Sequence, residues 1–322
     1  MSGVRILNAE PEGYSPKARE ILDTLGEVTE KPLDCAGLLE AAAECEVLIT
    51  RFGHHVDKEL FAAATGLRVL VSATTGLDHI DLEAAAGCGV TVLSLQGETE
   101  FLETLSATAE LTWGLLLSLL RHIPEASQSV KEGGWDRDAF RGNELRSKRI
   151  GILGLGRLGR MVAEYGRAFG MSVAAHDPYA SDWPMGVDLR SAAEDLMEDA
   201  QVLSIHVPLS EETKGLMDGA MLARLPTGAV LINTSRGAVV DEAALLAVLD
   251  SDHLAGAGLD VVADELCGGP SQALLAYARD HDNLIITPHM GGATIESMEK
   301  AEVFMAQKLA RFLEAGKESG GR

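Results

Sequence analysis

The sequence predicts an α/β protein built from two doubly wound parallel-sheet domains. Short aliphatic runs alternate with helical patterns along most of the chain, as in repeated βαβ units. The chain has 322 residues, which is more than one hydrophobic core usually organises. A polar, Gly-rich and non-periodic stretch at residues 132–147 separates two series of predicted strands, and we expect it to be a connection.

The first series is predicted to form a small parallel sheet. Its strands are expected at Val4–Leu7, Val47–Thr50, Arg68–Ser72 and Val90–Leu93. Helical patterns occupy the intervals, among them Pro16–Leu25 and Leu82–Ala86. A long apolar-rich helix is predicted from about Glu103 to Arg121, with a second helix after Pro124.

The second series predicts a six-stranded parallel sheet with dinucleotide-binding topology. Its strands are expected at Arg149–Leu153, Val173–His176, Val202–Ile205, Val230–Asn233, Gly256–Leu259 and Leu284–Thr287. A last helix is predicted after Gly292, to about Glu314, and the polar tail at residues 315–322 is expected to be disordered.

Composition and charge exclude several classes of function. The net charge of −22 would repel nucleic acids and anionic membranes, and no apolar stretch approaches the ~18 residues of a membrane span. The four cysteines show no metal-ligand spacing and are interpreted as reduced thiols. The N-terminal MSGVRILNAE lacks a signal-peptide pattern. We expect a cytoplasmic protein without a metal whose partner is a small molecule.

A glycine-rich turn follows the predicted strand at Arg149–Leu153. The segment Gly154-Leu155-Gly156-Arg157-Leu158-Gly159 then opens an apolar helical pattern. In this context Gly154 permits a tight turn, Gly156 lets the backbone approach a pyrophosphate, and Gly159 allows close packing of helix on strand. The N–H groups at the start of the helix attract phosphates. The pattern predicts a dinucleotide site.

Asp177 ends the next predicted strand. Its carboxylate is placed to accept hydrogen bonds from a ribose 2′-hydroxyl and to repel a 2′-phosphate. No arginine follows it in DPYASDWP, which favours NAD over NADP. Capping of a turn is the alternative role for this aspartate.

Arg236, Glu265 and His289 each follow a predicted strand of the second sheet. Ligands of open parallel sheets bind beyond the carboxyl ends of the strands. An arginine can hold a carboxylate through two hydrogen bonds and polarise a neighbouring carbonyl, and a histidine can transfer a proton. A carboxylate beside that histidine favours the imidazolium and fixes its tautomer. The set suits hydride transfer to or from a 2-keto acid.

These motifs resemble the D-isomer-specific 2-hydroxyacid dehydrogenases over nearly the whole chain. The matching stretches are TTGLDHIDLEAA, SATAEL, GILGLGRLGR, HVPLSEETKGL, LINTSRGAVVDEAAL, AGAGLDVVADE and ITPHMGGAT. The resemblance implies a Rossmann NAD-binding domain at residues 103–290, inserted in a flavodoxin-like substrate domain at residues 1–102 and 291–322. It further implies a homodimer.

The resemblance also assigns roles to individual residues. It implies Arg236, Glu265 and His289 as the catalytic set and the backbone of the Ala73-Thr74-Thr75-Gly76 loop as the carboxylate-binding element. The cofactor contacts that it adds to the glycine turn and Asp177 are Arg157, Leu158, Pro208, Thr213, Thr234 and Asp260. Arg51, at the end of a predicted strand, is a candidate for a distal acidic group of the substrate, with an ordinary surface role as the alternative.

Two departures from the family pattern bear on specificity. Leu266 stands where the family usually has proline, which puts the path of that loop in doubt. The segment GETEFLETLS at residues 97–106 replaces a short turn with asparagine, and we predict that it shapes specificity.

The sequence leaves the substrate and the class of function open. The stretch LLRHIPEASQSVKEGGW resembles phosphoglycerate dehydrogenases, although we expect this chain to lack their C-terminal regulatory domain. The favoured substrates are therefore acids that resemble 3-phosphoglycerate, or hydroxypyruvate and glyoxylate. The alternatives are a non-enzymatic NAD-sensing corepressor of the same fold and phosphite oxidation; Glu265 disfavours formate oxidation.

Overall fold

The computed structural model describes residues 3–265 and 269–319. Leu266, the departure from the family proline, lies outside the described residues. Contacts divide the chain into two compact units. Unit 1 contains the residues up to Leu105 together with those from Ala293 onward, and unit 2 is Ser106–Gly292.

Unit 1 is built on a five-stranded parallel sheet in the order β2-β1-β3-β4-β5. Its strands are β1 Val4–Asn8, β2 Gly26–Glu30, β3 Val47–Thr50, β4 Val69–Ser72 and β5 Thr91–Leu93. Its first helices are α1 Pro16–Leu25, α2 Cys35–Ala42, α3 Lys58–Ala63, α4 Leu82–Gly87 and α5 Thr99–Leu102. Four of these strands match the predicted ones, and β2 was not predicted.

Unit 2 is built on a seven-stranded parallel sheet in the order β12-β11-β10-β9-β6-β7-β8. Its strands are β6 Arg149–Leu153, β7 Ser172–His176, β8 Val187–Leu189, β9 Val202–Ile205, β10 Ala229–Asn233, β11 Leu254–Leu259 and β12 Leu284–Ile286. Its helices are α6 Ala107–Arg121, α7 Ile123–Lys131, α8 Arg157–Ala168, α9 Ala193–Met197, α10 Gly219–Leu222, α11 Glu242–Asp250 and α12 Gln272–Asp280. The prediction of six strands was therefore one short, because the edge strand β8 was missed.

Each sheet is covered by apolar side chains on both faces, as alternating residues of a buried strand require. In β6, for example, Ile152 packs into one cluster and Leu153 into the other. In β1, Ile6 and Leu7 divide in the same way between the two clusters of unit 1. The predicted α/β class with two doubly wound parallel sheets is confirmed.

The last helix, α13 (Ile295–Ser319), belongs to unit 1. Met305 and Leu309 are buried there against the face of the sheet that also packs on α1. The helix continues past Glu314 to Ser319, so the predicted disorder of the tail is wrong over residues 315–319. No helix in the described part of the chain is long and apolar enough to span a membrane.

In the unusual segment at residues 97–106, residues 97–105 belong to unit 1, where α13 contacts them. The Phe101 ring stacks on Phe304 with centroids 4.1 Å apart, and Lys308 Nζ donates to Glu98 Oε1 at 2.5 Å. The segment forms α5 and a turn, so the helix predicted from Glu103 begins instead at Ala107.

Candidate active site

The glycine turn after β6 has the tight geometry that its sequence predicts. Gly154 has φ +92°, and a Cβ there would lie 2.8 Å from the carbonyl carbon of His206. A Cβ on Gly159 would lie 2.1 Å from Gly154 O. A Cβ on Gly156 would meet nothing within 4 Å. The first and third glycines are therefore required by packing, while the second faces open space, as the predicted approach of a pyrophosphate requires.

Helix α8 begins directly after this turn and presents its first N–H groups. Gly156 is the N-cap, and because it has no side chain it makes no side-chain hydrogen bond to the first turn of α8, which includes Arg157 and Leu158. Partial burial lowers the pKa of the Arg157 guanidinium. A helix N-terminus of this kind suits an anion.

Asp177, directly after β7, is tied to the glycine turn. Its Oδ2 accepts a hydrogen bond from Leu155 N at 2.8 Å, and its Oδ1 accepts one from Tyr179 N at 2.9 Å. Each carboxylate oxygen can accept a second hydrogen bond. The carboxylate thus performs the alternative role, capping the turn, and keeps acceptor capacity for a ribose diol.

The loop after β9 contains Pro208, Thr213 and His206. Thr213 Oγ1 donates to Pro208 O at 2.6 Å and accepts from Ser210 N at 2.8 Å, so its hydroxyl closes the turn. His206 Nε2 lies 2.7 Å from Ser204 Oγ, and its Nδ1 is buried without a hydrogen-bond partner in the described chain. Burial lowers the pKa of His206 to about 4.

Arg236 is presented by a turn that Asn233 organises. Asn233 is fully buried at the end of β10, where its Nδ2 donates to Arg236 O at 2.9 Å and its Oδ1 accepts from Ser235 N at 3.0 Å. The guanidinium of Arg236 donates to Ser235 O at 2.7 Å. Both functional groups of one buried amide therefore fix the backbone beneath the arginine.

Thr234 is buried beside this turn and contacts α6. Thr112 Oγ1 donates to Thr108 O at 2.9 Å. Because a hydroxyl has one proton, the 2.9 Å contact between Thr112 and Thr234 must be a donation from Thr234 Oγ1. The oxygen of Thr234 keeps its acceptor capacity, which an amide N–H of the cofactor could use.

The turn carrying Arg236 packs tightly on the loop that carries Glu265. A Cβ on Gly237 would lie 1.9 Å from the carbonyl carbon of Val262 and 2.3 Å from Ala263 N. Glu242 Oε1 accepts from Ala263 N at 2.7 Å. Backbone contact and this hydrogen bond fix the start of the loop that leads to Glu265.

His289 and Glu265 form the central contact of unit 2. His289 Nδ1 lies 2.7 Å from Glu265 Oε1, and the exposed fractions of the two side chains are 28% and 19%. His289 has φ +51°, a left-handed conformation that is unfavourable for a residue with a Cβ. Such a conformation persists where the surroundings enforce it.

The surroundings that enforce it centre on Asp260, which is 1% exposed. Its Oδ1 accepts from Thr287 Oγ1 at 2.6 Å and from Met290 N at 2.8 Å, and its Oδ2 accepts from Gly291 N at 2.8 Å. Its carbonyl accepts from His289 N at 2.8 Å. Asp260, inferred from resemblance to contact the cofactor, holds the backbone on both sides of His289.

Strand order brings the three predicted catalytic residues to one edge of the unit 2 sheet. They follow β10, β11 and β12, which are parallel neighbours. Their order in the sheet equals their order in the chain, so the carboxyl ends of these strands meet. In the described residues, no group of three or more His, Cys, Asp or Glu could hold a metal ion.

The candidate substrate residues of unit 1 differ in their contacts within the unit. Arg51 donates through Nη2 to Glu10 O and Glu12 O, both at 2.9 Å, and through Nη1 to Glu302 Oε1 at 3.4 Å. These contacts support the alternative, structural role for Arg51 inside unit 1, and its role as a substrate ligand stays a prediction. Thr74, Thr75 and Gly76 lie in a loop after β4, with Thr75 exposed.

Sequence reasoning missed the residues that hold the catalytic ones. They are Asn233, Glu242, Thr287 and Thr112. Asn233, Glu242 and Thr287 lie inside the quoted motifs, and for Asn233 and Thr287 a polar side chain at a strand end was the available signal. Glu242 and Thr112 gave no local signal, because each meets its partner only through the tertiary fold.

Comparison with known proteins identifies relatives of the whole chain. Residues 113–291 match the family model described as D-isomer specific 2-hydroxyacid dehydrogenase, NAD binding domain. D-3-phosphoglycerate dehydrogenase of Mycobacterium bovis is 37% identical over 84% of this chain and 50% of its own length. Hydroxypyruvate reductase of Thermotoga maritima is 32% identical over 89% of this chain and 91% of its own.

Solved structures give the same result for the fold. D-lactate dehydrogenase of Aquifex aeolicus, solved with NAD and lactic acid, has a TM-score of 0.83 at 26% identity over 98% of this chain and 96% of its own. The chain spans about half the length of the curated D-3-phosphoglycerate dehydrogenases that it matches. These matches confirm the predicted family resemblance and the prediction of NAD as the cofactor.

Proposed function

Because the chain belongs to the D-isomer-specific 2-hydroxyacid dehydrogenases, we propose that it interconverts a small D-2-hydroxy acid and its 2-keto acid with NAD. Unit 2 then provides the cofactor site and unit 1 the substrate-binding loop. The observation that carries the proposal is the 2.7 Å contact between His289 Nδ1 and Glu265 Oε1. It gives one imidazole a defined orientation at the carboxyl edge of the sheet.

His289 transfers the proton. The Glu265 carboxylate accepts the Nδ1–H, which leaves Nε2 as the nitrogen that acts on substrate. In reduction, a protonated Nε2 donates to the C2 oxygen of the keto acid, and in oxidation a neutral Nε2 removes the hydroxyl proton. Glu265 stabilises the imidazolium that is present before reduction and after oxidation. Asp260 keeps the imidazole ring of His289 in position, because its carboxylate binds the backbone or side chains of residues on both sides of the histidine.

Arg236 binds the anionic end of the substrate. Its guanidinium can hold a carboxylate through two parallel hydrogen bonds and polarise the adjacent C2 oxygen. Asn233 fixes the turn from below, so the arginine is oriented before substrate arrives. Such preorganisation lowers the cost of reaching the reactive geometry.

The residues of unit 2 fit NAD. The open side of Gly156 and the first turn of α8 suit the pyrophosphate, and Asp177 suits an unphosphorylated ribose. Thr234 gives its hydroxyl proton to Thr112, and its oxygen can accept from the carboxamide. When bound, the nicotinamide supplies or takes up the hydride at C2.

We propose that the backbone N–H groups of the Thr74–Gly76 loop in unit 1 bind a substrate carboxylate. Within residues 3–265 and 269–319, no hydrogen bond is made by the N–H groups of Thr74, Thr75 or Gly76. Consecutive free N–H groups in a turn form a concave site for an anion. A neutral donor set of this kind is compatible with the strongly acidic composition.

The relatives support a proposal for the substrate class. Two kinds of relative are named D-3-phosphoglycerate dehydrogenase and hydroxypyruvate reductase. We therefore propose that the substrate is a small acid whose C3 carries a free or a phosphorylated hydroxyl group. The test is NADH or NADPH oxidation on a panel of pyruvate, glyoxylate, hydroxypyruvate and 3-phosphohydroxypyruvate, with NAD reduction by D- and L-isomers of the matching acids and by phosphite. Turnover of L-isomers only, or none on the panel, contradicts the proposal; NADH binding without any turnover is the outcome expected of a corepressor-like protein.

We further propose that the chain acts as a homodimer through unit 2. Trp135 is 90% exposed, and Ile123 and Val130 of α7 are 50% and 51% exposed. Apolar side chains concentrated in one segment of a surface mark an association site. Light scattering should give twice the 34.1 kDa mass of one chain, and Trp135→Ser should shift the population toward one chain. A monomeric wild-type protein contradicts this.

A further inference from the structure

A chain of hydrogen bonds lies directly beneath the Thr74–Gly76 loop. Ser72 and His79 are both fully buried at 0% exposure. His79 Nε2 lies 3.5 Å from Ser72 Oγ, Ser72 Oγ lies 2.9 Å from Thr74 Oγ1, and Thr74 Oγ1 donates to Gly76 O at 2.9 Å. A histidine is thus connected to the loop through two hydroxyl groups.

The direction of each hydrogen bond follows from the number of protons available. Thr74 gives its one hydroxyl proton to Gly76 O, so it accepts from Ser72. The hydroxyl proton of Ser72 has two possible acceptors, and Arg51 O, at 3.3 Å, is farther away than Thr74 Oγ1. With its own proton directed to Thr74, Ser72 accepts from His79, which assigns the Nε2–H tautomer to His79.

These contacts fix the peptide planes of the loop. Thr74 holds the Gly76 carbonyl from one side, while the Thr74 carbonyl accepts from Leu95 N at 3.0 Å. The N–H and C=O of a trans peptide point in opposite directions. Because Thr74 O points to Leu95, the N–H of Thr75 is turned the other way, where it has no acceptor among the described residues.

His79 is itself held firmly in place. Its carbonyl accepts from Val56 N at 2.8 Å, and its ring packs against Phe52 with centroids 4.9 Å apart. It follows the loop by only a few residues and returns beneath it. The imidazole can therefore restrain the loop from a fixed point in the core of unit 1.

We propose that His79 is a positioning residue that, through Ser72 and Thr74, holds the Thr74–Gly76 loop in the conformation that binds the substrate carboxylate. The inference rests on the proposed function of that loop. His79 does not touch substrate in this account. Since the loop would bind the carboxylate equally in the ground state and the transition state, loss of the restraint should weaken substrate binding and leave the chemical step unchanged.

The test compares variants along the chain with a matched control. His79→Leu and Ser72→Ala remove the donor and the relay, and His79→Gln keeps an amide N–H in place of Nε2. Thr50 pairs with Ser72 in the neighbouring strand, and its buried Oγ1 has no hydrogen-bond partner in the described chain. Thr50→Val therefore removes an equally buried hydroxyl that does not reach the loop.

We expect His79→Leu and Ser72→Ala to raise KM for the keto acid about three- to tenfold, as the loss of one hydrogen bond implies, with kcat and KM for NADH unchanged. His79→Gln should restore most of the wild-type KM, and Thr50→Val should not change it. Unchanged KM in the first two variants, or an equal change in Thr50→Val, overturns the proposal.

A second measurement is independent of turnover and keeps the two proposals distinguishable. Hydrogen exchange of a peptide spanning residues 73–80 should be faster in His79→Leu than in wild type and unaltered in Thr50→Val. If the wild type turns over no acid but His79→Leu still accelerates exchange of this loop, the restraint stands and the proposed function fails. Exchange equal to wild type in His79→Leu overturns the restraint.

Discussion

The close approach of Gly237 to the Val262 backbone links the turn of Arg236 to the loop of Glu265, and Gly237→Ala would break it. The added Cβ would lie 1.9 Å from the carbonyl carbon of Val262, whereas carbon atoms at ordinary contact are about 3.5 Å apart. The obstacle is backbone on both sides and cannot rotate away. The turn must therefore retreat by roughly 1.5 Å, carrying Arg236 with it.

A displacement of about 1 Å at a catalytic group can cost on the order of 100-fold in rate. We expect Gly237→Ala to lower kcat/KM by about 100-fold, or about 2.7 kcal/mol of transition-state stabilisation. The assay is steady-state turnover of the best acid of the panel, with NADH affinity from fluorescence and folding from thermal melts.

The matched control is Gly219→Ala in α10, where a Cβ would meet only Ala244 Cβ at an ordinary 3.7 Å. Its kcat/KM should remain that of the wild type. If Gly237→Ala keeps kcat/KM within threefold of wild type, the packing of the two loops does not position Arg236, and the reasoning is refuted.

Three further predictions concern the supporting residues. Asp260→Asn replaces a carboxylate that accepts three hydrogen bonds, and it should lower both kcat and, by about 2–3 kcal/mol, the free energy of unfolding. Urea titration measures this loss against the control Asp241→Asn, in which the asparagine can still cap α11. Equal losses in the two variants would contradict the prediction. Asp177→Asn removes the charge that repels a 2′-phosphate, so the ratio of kcat/KM with NAD to that with NADP should fall at least about tenfold; an unchanged ratio would show that other residues discriminate. The pKa of His206 is lowered to about 4 in the folded protein, so the unfolded chain takes up this proton at a higher pH than the folded protein does, and the free energy of unfolding should fall by at most about 3 kcal/mol as the pH is lowered from 6.5 toward 4. In urea titrations, His206→Gln should make the free energy of unfolding less dependent on pH over this range. The same pH dependence in both proteins would contradict the prediction.

The strands that the sequence analysis missed are the edge strands β2 and β8. Gly26–Glu30 and Val187–Leu189 pair on one side only and contain no buried residue. They therefore lack the apolar runs that mark β6 or β9. Strand β2 also follows α1 without an intervening loop, and its first residue, Gly26, is the C-cap of the helix.

The tail of α13 was predicted to be disordered because its residues are small and polar. Helix continuation past Glu314 depends on the preceding turns, which are anchored by buried Leu309 and Leu313. Extending an existing helix needs only one more residue to be fixed per hydrogen bond. Composition alone does not show that such a nucleus is present.

The sequence could predict those residues of the candidate site that directly follow a strand of the parallel sheet. Arg236, Glu265 and His289 follow adjacent parallel strands, and that follows from a βαβ pattern. The left-handed backbone of His289 and its restraint by Asp260 were not predictable, because they depend on hydrogen bonds between segments that meet only after folding. Arg51 was placed correctly at the end of β3, but its partners Glu10 and Glu302 are distant in sequence.

The most direct test of the account is the turnover of His289→Asn. This change removes the ring nitrogen that is to transfer the proton and leaves the glycine turn and Asp177 untouched, so NADH should bind with wild-type affinity. We predict that kcat for keto-acid reduction falls by about 10²- to 10⁴-fold, the usual contribution of a general acid. A His289→Asn enzyme that retains kcat within threefold of wild type would contradict the proposed mechanism.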